Sequence, residues 1–503
     1  MASRLAGGRA QRDDDTLPRD GDGAAEGGLQ RALGLTLASA LVWGVAHLWA
    51  GRRMVGSILL GAFGLLIIAG TVTAVVFRPD LIRLAVQPTW LSAFALGILA
   101  LGLVWVTVVI RSYQIVRPDG LSTGARTVGA VTVALLCFGV AVPVTWAAHN
   151  TYVYKDALTS IFRTGDSNGR PVNTADPWNG QPRVNVLLLG GDAAPNRVGV
   201  RTDSMTLASV DTKTGDTVLL GLPRNLESFH LPPGPARDRF PYGFTGDGAG
   251  TPGLLNEVYQ YAEEHPDLVP GVTKNNRGPE LLKATIAGIL QQRVDYYILV
   301  DMRGFADIVD AVGGVKMTIP EDILYSRENR VLKAGTRTLS GKEALWFGRS
   351  RTNSDDYTRM GRQKCIMRAI AKQADPQTVL TKFDKLATAT KRAISTDIPQ
   401  ELLPAFVSLS SKVKSGAQID SLQFVPPLIS TGNPDFGLIR KLSAQAVESS
   451  GAKPSGTPTA PTSPPASGSP SATPTESGNA SPGATTTKAP QSKPVSLDAT
   501  CPS

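Results

Sequence analysis

Four long apolar runs near the amino terminus limit the kinds of fold that this chain can adopt. They contain no Lys, Arg, Asp or Glu and cover residues 32–50, 54–77, 89–110 and 127–148. Each is about the twenty residues that an α-helix needs to cross the hydrocarbon core of a bilayer. Tryptophans lie mostly near the run ends, where interfacial aromatic belts occur. The pattern predicts an integral membrane protein with about four transmembrane helices, rather than a soluble protein with buried core helices.

The basic residues that flank these runs leave their orientation open. Residues 1–31 hold five arginines, and each connection between runs holds two or three more. Orientation follows from a difference in Lys and Arg between the two sides, and these counts show none that decides it. Four spans would put both ends of the membrane region on one side. Run 32–50, the shortest and interrupted by His47, is the best candidate for one that does not cross.

Composition divides the rest of the 503 residues. Residues 1–31 are polar, glycine-rich and mixed in charge, which predicts a disordered tail and no cleavable signal peptide. The membrane region, 32–148, is followed by a polar connector over 149–182. Residues 448–503 are dominated by Pro, Ser, Thr, Ala and Gly. They predict a second disordered tail, either a plain spacer or a glycosylated or wall-penetrating stalk.

Residues 183–447 have the pattern of a folded α/β domain. Residues 184–189 form a short apolar run typical of a buried strand, and 204–210 with 217–222 predict a hairpin. Helical spacing then alternates with further strands, such as 296–300. This alternation predicts a mixed central sheet flanked by helices.

Cysteine, histidine and charge patterns exclude several classes of function. The three cysteines and four histidines have no metal-ligand spacing, so zinc chemistry is not expected. A disulfide between Cys365 and Cys501 is an alternative that the sequence leaves open. Neither a GxSxG elbow nor a Walker loop occurs. The net charge is +9, but the basic residues do not form the dense basic and aromatic stripe that is typical of a nucleic-acid surface. This argues against nucleic acid as a partner. Partners with phosphates or an anionic lipid surface stay open.

Arginines and aspartates recur at the ends of predicted elements in this domain. They occur in the segments 187–192, 201–203, 223–224, 349–351 and 356–363. Guanidinium forks beside two carboxylates suit a phosphorylated substrate that carries a divalent metal. Taken singly, each residue could equally be a solvated surface group or part of a weak exposed ion pair.

The order of these motifs resembles the LytR-CpsA-Psr family, membrane-anchored enzymes of bacterial cell-wall assembly. The resemblance spans roughly residues 184–373 and also includes Asp301 with Gly-Phe at 304–305, Val-Gly-Gly-Val at 312–315 and Leu-Ser-Gly-Lys-Glu-Ala-Leu at 339–345. It implies transfer of a glycopolymer from a polyprenyl-pyrophosphate carrier to a peptidoglycan hydroxyl, which leaves a phosphodiester link and requires Mg²⁺. The richness in Ala, Arg and Gly is typical of a high-GC actinobacterium.

The resemblance also implies roles for particular residues. Asp192 and Asp203 match the metal-associated carboxylates, and either could draw the proton from the acceptor hydroxyl. The predicted catalytic residues are Asp203, Arg201 and Arg224. Guanidinium or amide donors are the predicted pyrophosphate ligands: Arg201, Arg224, Arg349, Arg351, Arg359, Arg362 and Gln363. A purely structural role is the alternative for Arg362.

In the family, the sheet and helices enclose an apolar tunnel for the prenyl chain. Residues 254–261 and 281–290 could line it, with ordinary core packing as the alternative. Two positions depart from the family pattern. Asn225 stands where an aspartate usually follows Pro-Arg, which removes a carboxylate that could orient Arg224. Leu254 stands where a lysine is frequent, which removes a cation that could touch the substrate.

The family reaction occurs where the acceptor wall lies, so the resemblance implies a multi-pass protein of the cell membrane with its catalytic domain outside. Two other functions stay open. One is an enzyme that only hydrolyses the lipid pyrophosphate, and the other is a non-catalytic membrane scaffold or regulator of envelope synthesis. The sequence does not specify the glycopolymer, which could be arabinogalactan, teichoic acid or another anionic or capsular glycan.

Overall fold

A computed structural model describes ten stretches of the chain: residues 21–77, 81, 84–162, 172–192, 200–248, 251–325, 330–351, 355–373, 394–450 and 493–501. The chain divides into two compact units. The first contains the amino-terminal helices up to Tyr152, apart from residues 82–88, and the second contains those residues and everything from Val153 onward.

The first unit is helical. Its helices are α1 Gly21–Leu41, α2 Val45–Trp49, α3 Arg53–Val76, α4 Pro88–Val116 and α5 Thr123–Ile161, which continues past the unit's last residue. Among the helices described, α3, α4 and α5 are long and apolar enough to cross a membrane. They account for three of the four predicted spans.

The remaining predicted span, 32–50, is not a single helix because it is divided between α1 and α2. The break includes Gly44, whose φ of 95° lies in the left-handed region that favours glycine. A Cβ at Gly44 would also lie 2.4 Å from the carbonyl oxygen of Gly56 on α3. Three helices of the described residues are therefore candidates to cross a membrane, and run 32–50, which the sequence marks as the best candidate not to cross, is not among them.

Helix also extends into both segments predicted to flank the membrane region. Because α1 begins at Gly21, the end of the predicted disordered tail 1–31 is helical, while residues 1–20 lie outside the described stretches. Because α5 continues to Ile161, the predicted connector 149–182 also begins as helix. Leu158 and Ile161 are buried there. The connector is polar in overall composition, but its first part contains apolar residues that pack.

The second unit is built on strands of a mixed sheet and two small hairpins. The strands are β1 Arg183–Asp192, β2 Arg201–Asp211, β3 Thr217–Leu222, β4 Tyr296–Asp301, β5 Val315–Ile319, β6 Ile323–Tyr325, β7 Arg330–Leu332, β8 Gly335–Leu339, β9 Ile394–Thr396, β10 Ile419–Gln423 and β11 Val495–Ser496. The seven-stranded sheet has the order β11-β10-β3-β2-β1-β4-β9. Its β1–β4 and β3–β10 pairs are parallel and its other pairs are antiparallel.

Helices flank this sheet. They are α6 Pro235–Arg239, α7 Val258–Glu264, α8 Arg277–Leu290, α9 Met302–Ala311, α10 Gly341–Arg349, α11 Asp356–Gln373, α12 Leu403–Lys414, α13 Phe436–Ser449 and α14 Leu497–Thr500. Short 3₁₀ helices occupy Leu255–Glu257, Pro266–Leu268 and Gln400–Leu402. The mixed sheet with flanking helices, preceded by apolar helices, confirms the predicted fold class.

Alternate residues of β1 enter different cores because successive side chains of a strand point to opposite faces of a sheet. Leu187 belongs to the largest core, together with Tyr261 of α7 and Leu282 of α8. Leu188 instead packs beside Met367 of α11. The sheet therefore has α7 and α8 on one face and α11 on the other.

The carboxy-terminal residues return to the folded unit. β11 pairs antiparallel with β10 at one edge of the sheet, and Leu497 is fully buried. Cys501 forms a disulfide with Cys365 of α11, the pairing that the sequence left open. The prediction of a disordered tail over 448–503 is therefore wrong for residues 493–501, because a few apolar residues there reach the sheet. Residues 451–492 lie outside the described stretches.

We expect Cys501→Ser to destabilise the full-length protein. The disulfide joins residues 136 positions apart, and removing such a crosslink typically costs about 2–5 kcal/mol. Cys137→Ser, which removes a free cysteine, is the matched control. Thermal unfolding should show a lower Tm for Cys501→Ser than for wild type or the control, and a reductant should lower the Tm of the two proteins that keep the disulfide but not that of Cys501→Ser. Equal Tm values for all three proteins would contradict the disulfide.

A candidate anion site beside an apolar cavity

A cavity of about 510 Å³ opens where the parallel strands β1 and β4 end. Gly191 pairs with Asp301, so these strands reach their carboxyl ends together, at a position where α/β sheets commonly bind ligands. Helices α9, α10 and α11 supply its apolar wall: Phe305, Ile308, Ala344, Leu345, Ile366, Met367 and Ile370. Its charged residues are Asp192, Asp203, Arg224, Asp301, Arg349, Arg351 and Arg359. A volume of this size is typical of a small-molecule site.

A β-bulge directs Asp203 to this cavity. Gly190 opposes Ser204 and Gly191 opposes Thr202, so Asp203 has no opposite residue in the β1–β2 pairing. The extra residue of a bulge changes the direction of the side chains around it. Accordingly, Asp203 and Ser204 both line the cavity, although they are adjacent in the sequence.

Asp203 and Asp356 contact three of the four arginines that line the described cavity. Arg224 Nη1 donates to Asp203 Oδ1 over 2.8 Å, and Arg224 Nε lies 3.4 Å from Asp356 Oδ2. Asp356 lies 3.0 Å from Nη2 of Arg351 and 3.0 Å from Nη2 of Arg359. Both terminal nitrogens of Arg359 also lie 3.2 Å from the backbone carbonyl oxygen of Asp203. Asp356 therefore joins arginines from three separate segments.

These contacts set the protonation of the cluster. Burial alone would raise the pKa of Asp356, but the hydrogen bond and charge of Arg359 and the charges of Arg224 and Arg351 hold that pKa below its usual range. Burial alone would lower the pKa of Arg224, but Asp203 and Asp356 raise it above its usual value. A depressed carboxyl pKa keeps ion pairs intact at neutral pH and releases them only as the pH falls through it. The Asp356 ion pairs are therefore present at neutral pH.

The cavity brings together most of the predicted site residues: Asp192, Asp203, Arg224, Arg349, Arg351, Arg359 and Gln363. Gln363 Nε2 donates to the carbonyl oxygen of Gly348 over 3.1 Å. The guanidinium of Arg349 lies over the Trp346 ring, 5.9 Å from its centroid. These predicted residues come from five separate segments of the chain, so the fold is what makes them one site.

Two predicted residues do not line the described cavity. Arg201 is exposed at the start of β2, where it pairs with Asp192 in the sheet, and it is not among the residues that line the described cavity. Arg362 is buried and donates to the carbonyl oxygen of Ser350 over 2.9 Å and to Glu321 over 3.3 Å. Arg362 thus binds the backbone between Arg349 and Arg351 through the Ser350 carbonyl, a contact that favours the structural alternative given for Arg362.

The sequence motifs place Asp356 in the segment 356–363 without giving it a role of its own. The signal for its larger role was the Asp-x-x-Arg spacing at the start of α11, because residues i and i+3 of a helix share a face. Asp356 and Arg359 use this spacing. Asp301, predicted only as a motif residue, lines the cavity and caps α9 by accepting from the Gly304 amide over 2.7 Å.

The departure at Asn225 does not leave Arg224 without an orienting carboxylate. The side-chain amide of Asn225 donates to Thr431 Oγ1 over 3.4 Å. Arg224 takes its orientation from Asp203 and Asp356 instead. The carboxylate that is absent at position 225 is therefore replaced in this role by two others.

The predicted tunnel segments do not form the apolar wall. Residues 254–261 and 281–290 contribute to the core that contains Leu187, so ordinary core packing is the correct alternative. The wall of the cavity comes from Leu188 and Ile298 of the sheet and from α9, α10 and α11. Amphipathic spacing shows that a helix has an apolar face, but not which face of the sheet it covers.

The carboxylates at the cavity fit a divalent cation. Within the described stretches, no group of three or more His, Cys, Asp and Glu residues is arranged to hold a metal. Asp192 and Asp203 nevertheless line the same cavity. Mg²⁺ is usually held by one or two protein carboxylates, with phosphate oxygens and water completing its ligands. The donor set therefore suits Mg²⁺ that arrives with a phosphorylated substrate.

The fold and the site define a membrane-anchored α/β protein whose arginine cluster suits an anionic group attached to an apolar chain. The family model described as the LytR_cpsA_psr family matches residues 151–433, more than half of the chain. The chain belongs to the LytR-CpsA-Psr family, as the order of its motifs predicts.

Similar proteins include two named polyisoprenyl-teichoic acid–peptidoglycan teichoic acid transferase TagU. The Bacillus cereus protein is 28% identical over 220 residues, 43% of this chain and 61% of its own length. The Oceanobacillus iheyensis protein is 28% identical over 227 residues, 45% of this chain and 62% of its own length. The chain thus spans about six tenths of the length of these relatives.

Similar solved structures include two whose titles name TagV and TagT. The crystal structure of B. subtilis TagV is 23% identical and covers 53% of this chain and 97% of that one, with a TM-score of 0.37. A structure of TagT bound to LIIa-WTA is 20% identical and covers 57% of this chain and 100% of that one, with a TM-score of 0.39.

We expect Arg362→Ala to lower the free energy of unfolding of the full-length protein by about 1–3 kcal/mol, because the buried carbonyl of Ser350 would lose its donor. Arg201→Ala should change it by less than about 0.5 kcal/mol, since Arg201 is exposed. Denaturant unfolding of both variants measures the difference. Equal free energies of unfolding for the two variants would show that the hydrogen bond from Arg362 to the Ser350 carbonyl does not stabilise the fold.

Proposed function

We propose that the protein transfers a glycopolymer from a polyprenyl-pyrophosphate carrier to a hydroxyl of peptidoglycan. The observation that carries this proposal is that one cavity has both an arginine cluster and an apolar wall. A lipid pyrophosphate has the same two parts, a group with several negative charges and a hydrocarbon chain. The names of the TagU relatives, which are similar over part of their length, support the same chemistry.

The reaction joins the acceptor oxygen to the phosphorus next to the glycopolymer. The bond from that phosphorus to the bridging oxygen breaks, polyprenyl phosphate leaves, and the acceptor proton passes to a carboxylate. Arg224, Arg351 and Arg359 line the cavity and would hold the pyrophosphate oxygens while they neutralise the charge that develops on the leaving group. Asp203 or Asp192 would accept the proton.

Asp192 and Asp203 are also the residues that would hold Mg²⁺. When bound, the ion would supply positive charge to the phosphate oxygens. Asp203 keeps its carboxylate oriented by accepting from Arg224 through Oδ1. Arg201, which pairs with Asp192 across β1 and β2, remains a candidate catalytic residue at the edge of this site.

We expect Asp203→Asn and Arg224→Ala to lower kcat by at least about 100-fold, because each removes a charged contact aimed at the reacting group. The assay uses the full-length protein, a short lipid-linked glycan, Mg²⁺ and peptidoglycan. Asp322→Asn, which loses an exposed ion pair with Lys333, is the control and should keep wild-type turnover. Omission of Mg²⁺ should stop the reaction.

The products of this assay separate the alternative functions. Transfer attaches the glycan phosphate to peptidoglycan. A hydrolase would instead release free glycan phosphate even when the acceptor is present. Turnover that is equal in wild type, Asp203→Asn and Arg224→Ala would contradict the proposed site. A wild-type protein without any turnover would favour a scaffold or regulator.

We also propose that the amino terminus lies in the cytoplasm and the folded unit outside the cell. Three crossing helices would put the two ends of the membrane region on opposite sides, and α3, α4 and α5 are the candidates. The five arginines of residues 1–31 would then lie inside, in agreement with the positive-inside rule. The acceptor wall would lie on the same side as the folded unit.

Cysteine labelling in intact cells tests this topology. In a Cys137→Ser background, which leaves Cys365 and Cys501 joined in the disulfide, Ser3→Cys should be protected from a thiol reagent that cannot cross the membrane. Tyr242→Cys should react, because Tyr242 is 95% exposed in the folded unit. A labelled Ser3→Cys together with a labelled Tyr242→Cys would show an even number of spans.

A further inference from the structure

Asp356, the first residue of α11, uses both carboxylate oxygens to contact arginines of the site. Oδ1 lies 3.0 Å from Arg351 Nη2 and accepts from Arg359 Nε over 3.2 Å. Oδ2 lies 3.0 Å from Arg359 Nη2 and 3.4 Å from Arg224 Nε. These arginines follow α10, lie within α11 and follow β3, respectively. Asp356 therefore fixes distances between groups that the backbone alone would not hold together.

The three arginines are held to different degrees. The side chain of Arg359 is 5% exposed and is bound by both oxygens of Asp356 and by the Asp203 carbonyl. The side chain of Arg224 is 30% exposed and that of Arg351 is 54% exposed. A single exposed ion pair contributes little to stability. The single exposed contact of Arg351 is therefore weaker than the several contacts that hold Arg359.

Asp356 itself is not among the residues that line the described cavity, whereas all three of its arginine partners are. Asp356 therefore acts on a bound substrate without touching it, through the orientation of these arginines and through its own charge. Donors that are already oriented lower the energy of a transition state more than donors that must reorganise. A carboxylate near the site also repels the anion that the arginines attract, so it should weaken binding of that anion.

We infer that Asp356 is a positioning residue that arranges these arginines for a pyrophosphate group, holding Arg359 and Arg224 and releasing Arg351 to the phosphate when the substrate enters. The identity of the phosphate ligand rests on the proposed function. The inference predicts opposite effects on rate and affinity: Asp356 increases the rate of transfer through the orientation of the arginines, and it decreases the affinity for pyrophosphate through its charge. Substitution of a residue that only stabilised the fold would not change the rate of transfer and the affinity for pyrophosphate in opposite directions.

Asp355 provides a matched control at the same end of α11. Its Oδ1 accepts from the amide and from the hydroxyl of Thr358, each over 2.7 Å. Asp355→Asn thus changes a carboxylate next to Asp356 in the chain while the described arginine contacts of Asp356 stay in place. It controls for a change of charge at the start of α11.

The test measures kcat and KM with lipid-linked glycan, and the affinity for inorganic pyrophosphate by calorimetry, all on the full-length protein. Asp356→Asn should lower kcat by at least about tenfold and tighten pyrophosphate binding by about threefold or more. Asp355→Asn should leave both within about twofold of wild type. Unchanged kcat in Asp356→Asn, or a parallel loss of rate and pyrophosphate affinity, would overturn the inference.

A second variant covers the case in which Asp356→Asn does not fold. Asp356→Glu keeps the charge but moves it by one methylene, so pyrophosphate affinity should stay near wild type while kcat falls to an intermediate value. Wild-type kcat in Asp356→Glu would also overturn the inference. If wild type turns over no lipid-linked glycan, the proposed function fails separately. The pyrophosphate affinities then decide, and unchanged or weaker binding by Asp356→Asn argues against the role of Asp356.

Discussion

The contact between Arg359 and the bulged strand β2 is the interaction on which the site depends. A buried guanidinium must be paired, and Arg359 meets this need with Asp356 on its own helix and with the backbone carbonyl of Asp203. The same helix, α11, also contributes Ile366 and Ile370 to the apolar wall of the cavity. One buried side chain thereby fixes the charged part of the cavity relative to its apolar part.

The carboxy-terminal residues 493–501 also stabilise the position of α11. Cys501 is joined to Cys365 of α11, and Leu497 packs in the same cluster as Cys365 and Met367. Met367 in turn lines the cavity. A segment that is distant in the sequence therefore contacts the helix that forms the site, and a chain truncated near residue 450 would lack this support.

The sequence predicted much of the site because the order of its motifs, rather than any single residue, carried the information. Asp192, Asp203 and Arg224 come together at the cavity as their positions at strand ends indicated. The rest depended on contacts that no local pattern encodes. Arg362 has the same charge as Arg359, and only the fold shows that it donates to a buried carbonyl behind the site. For the same reason, amphipathic spacing could not identify the helices that form the cavity, and the break in the first apolar run depends on close packing at Gly44.

One cavity is proposed to bind both the pyrophosphate and the start of the polyprenyl chain. A structure of the full-length protein with a bound polyprenyl-pyrophosphate analogue tests it most directly. We expect pyrophosphate oxygens within hydrogen-bonding distance of Arg224 and Arg359, and the prenyl chain between Ile298 of the sheet and Phe305 of α9. A prenyl chain bound on the opposite face of the sheet, between α7 and α8, would contradict it.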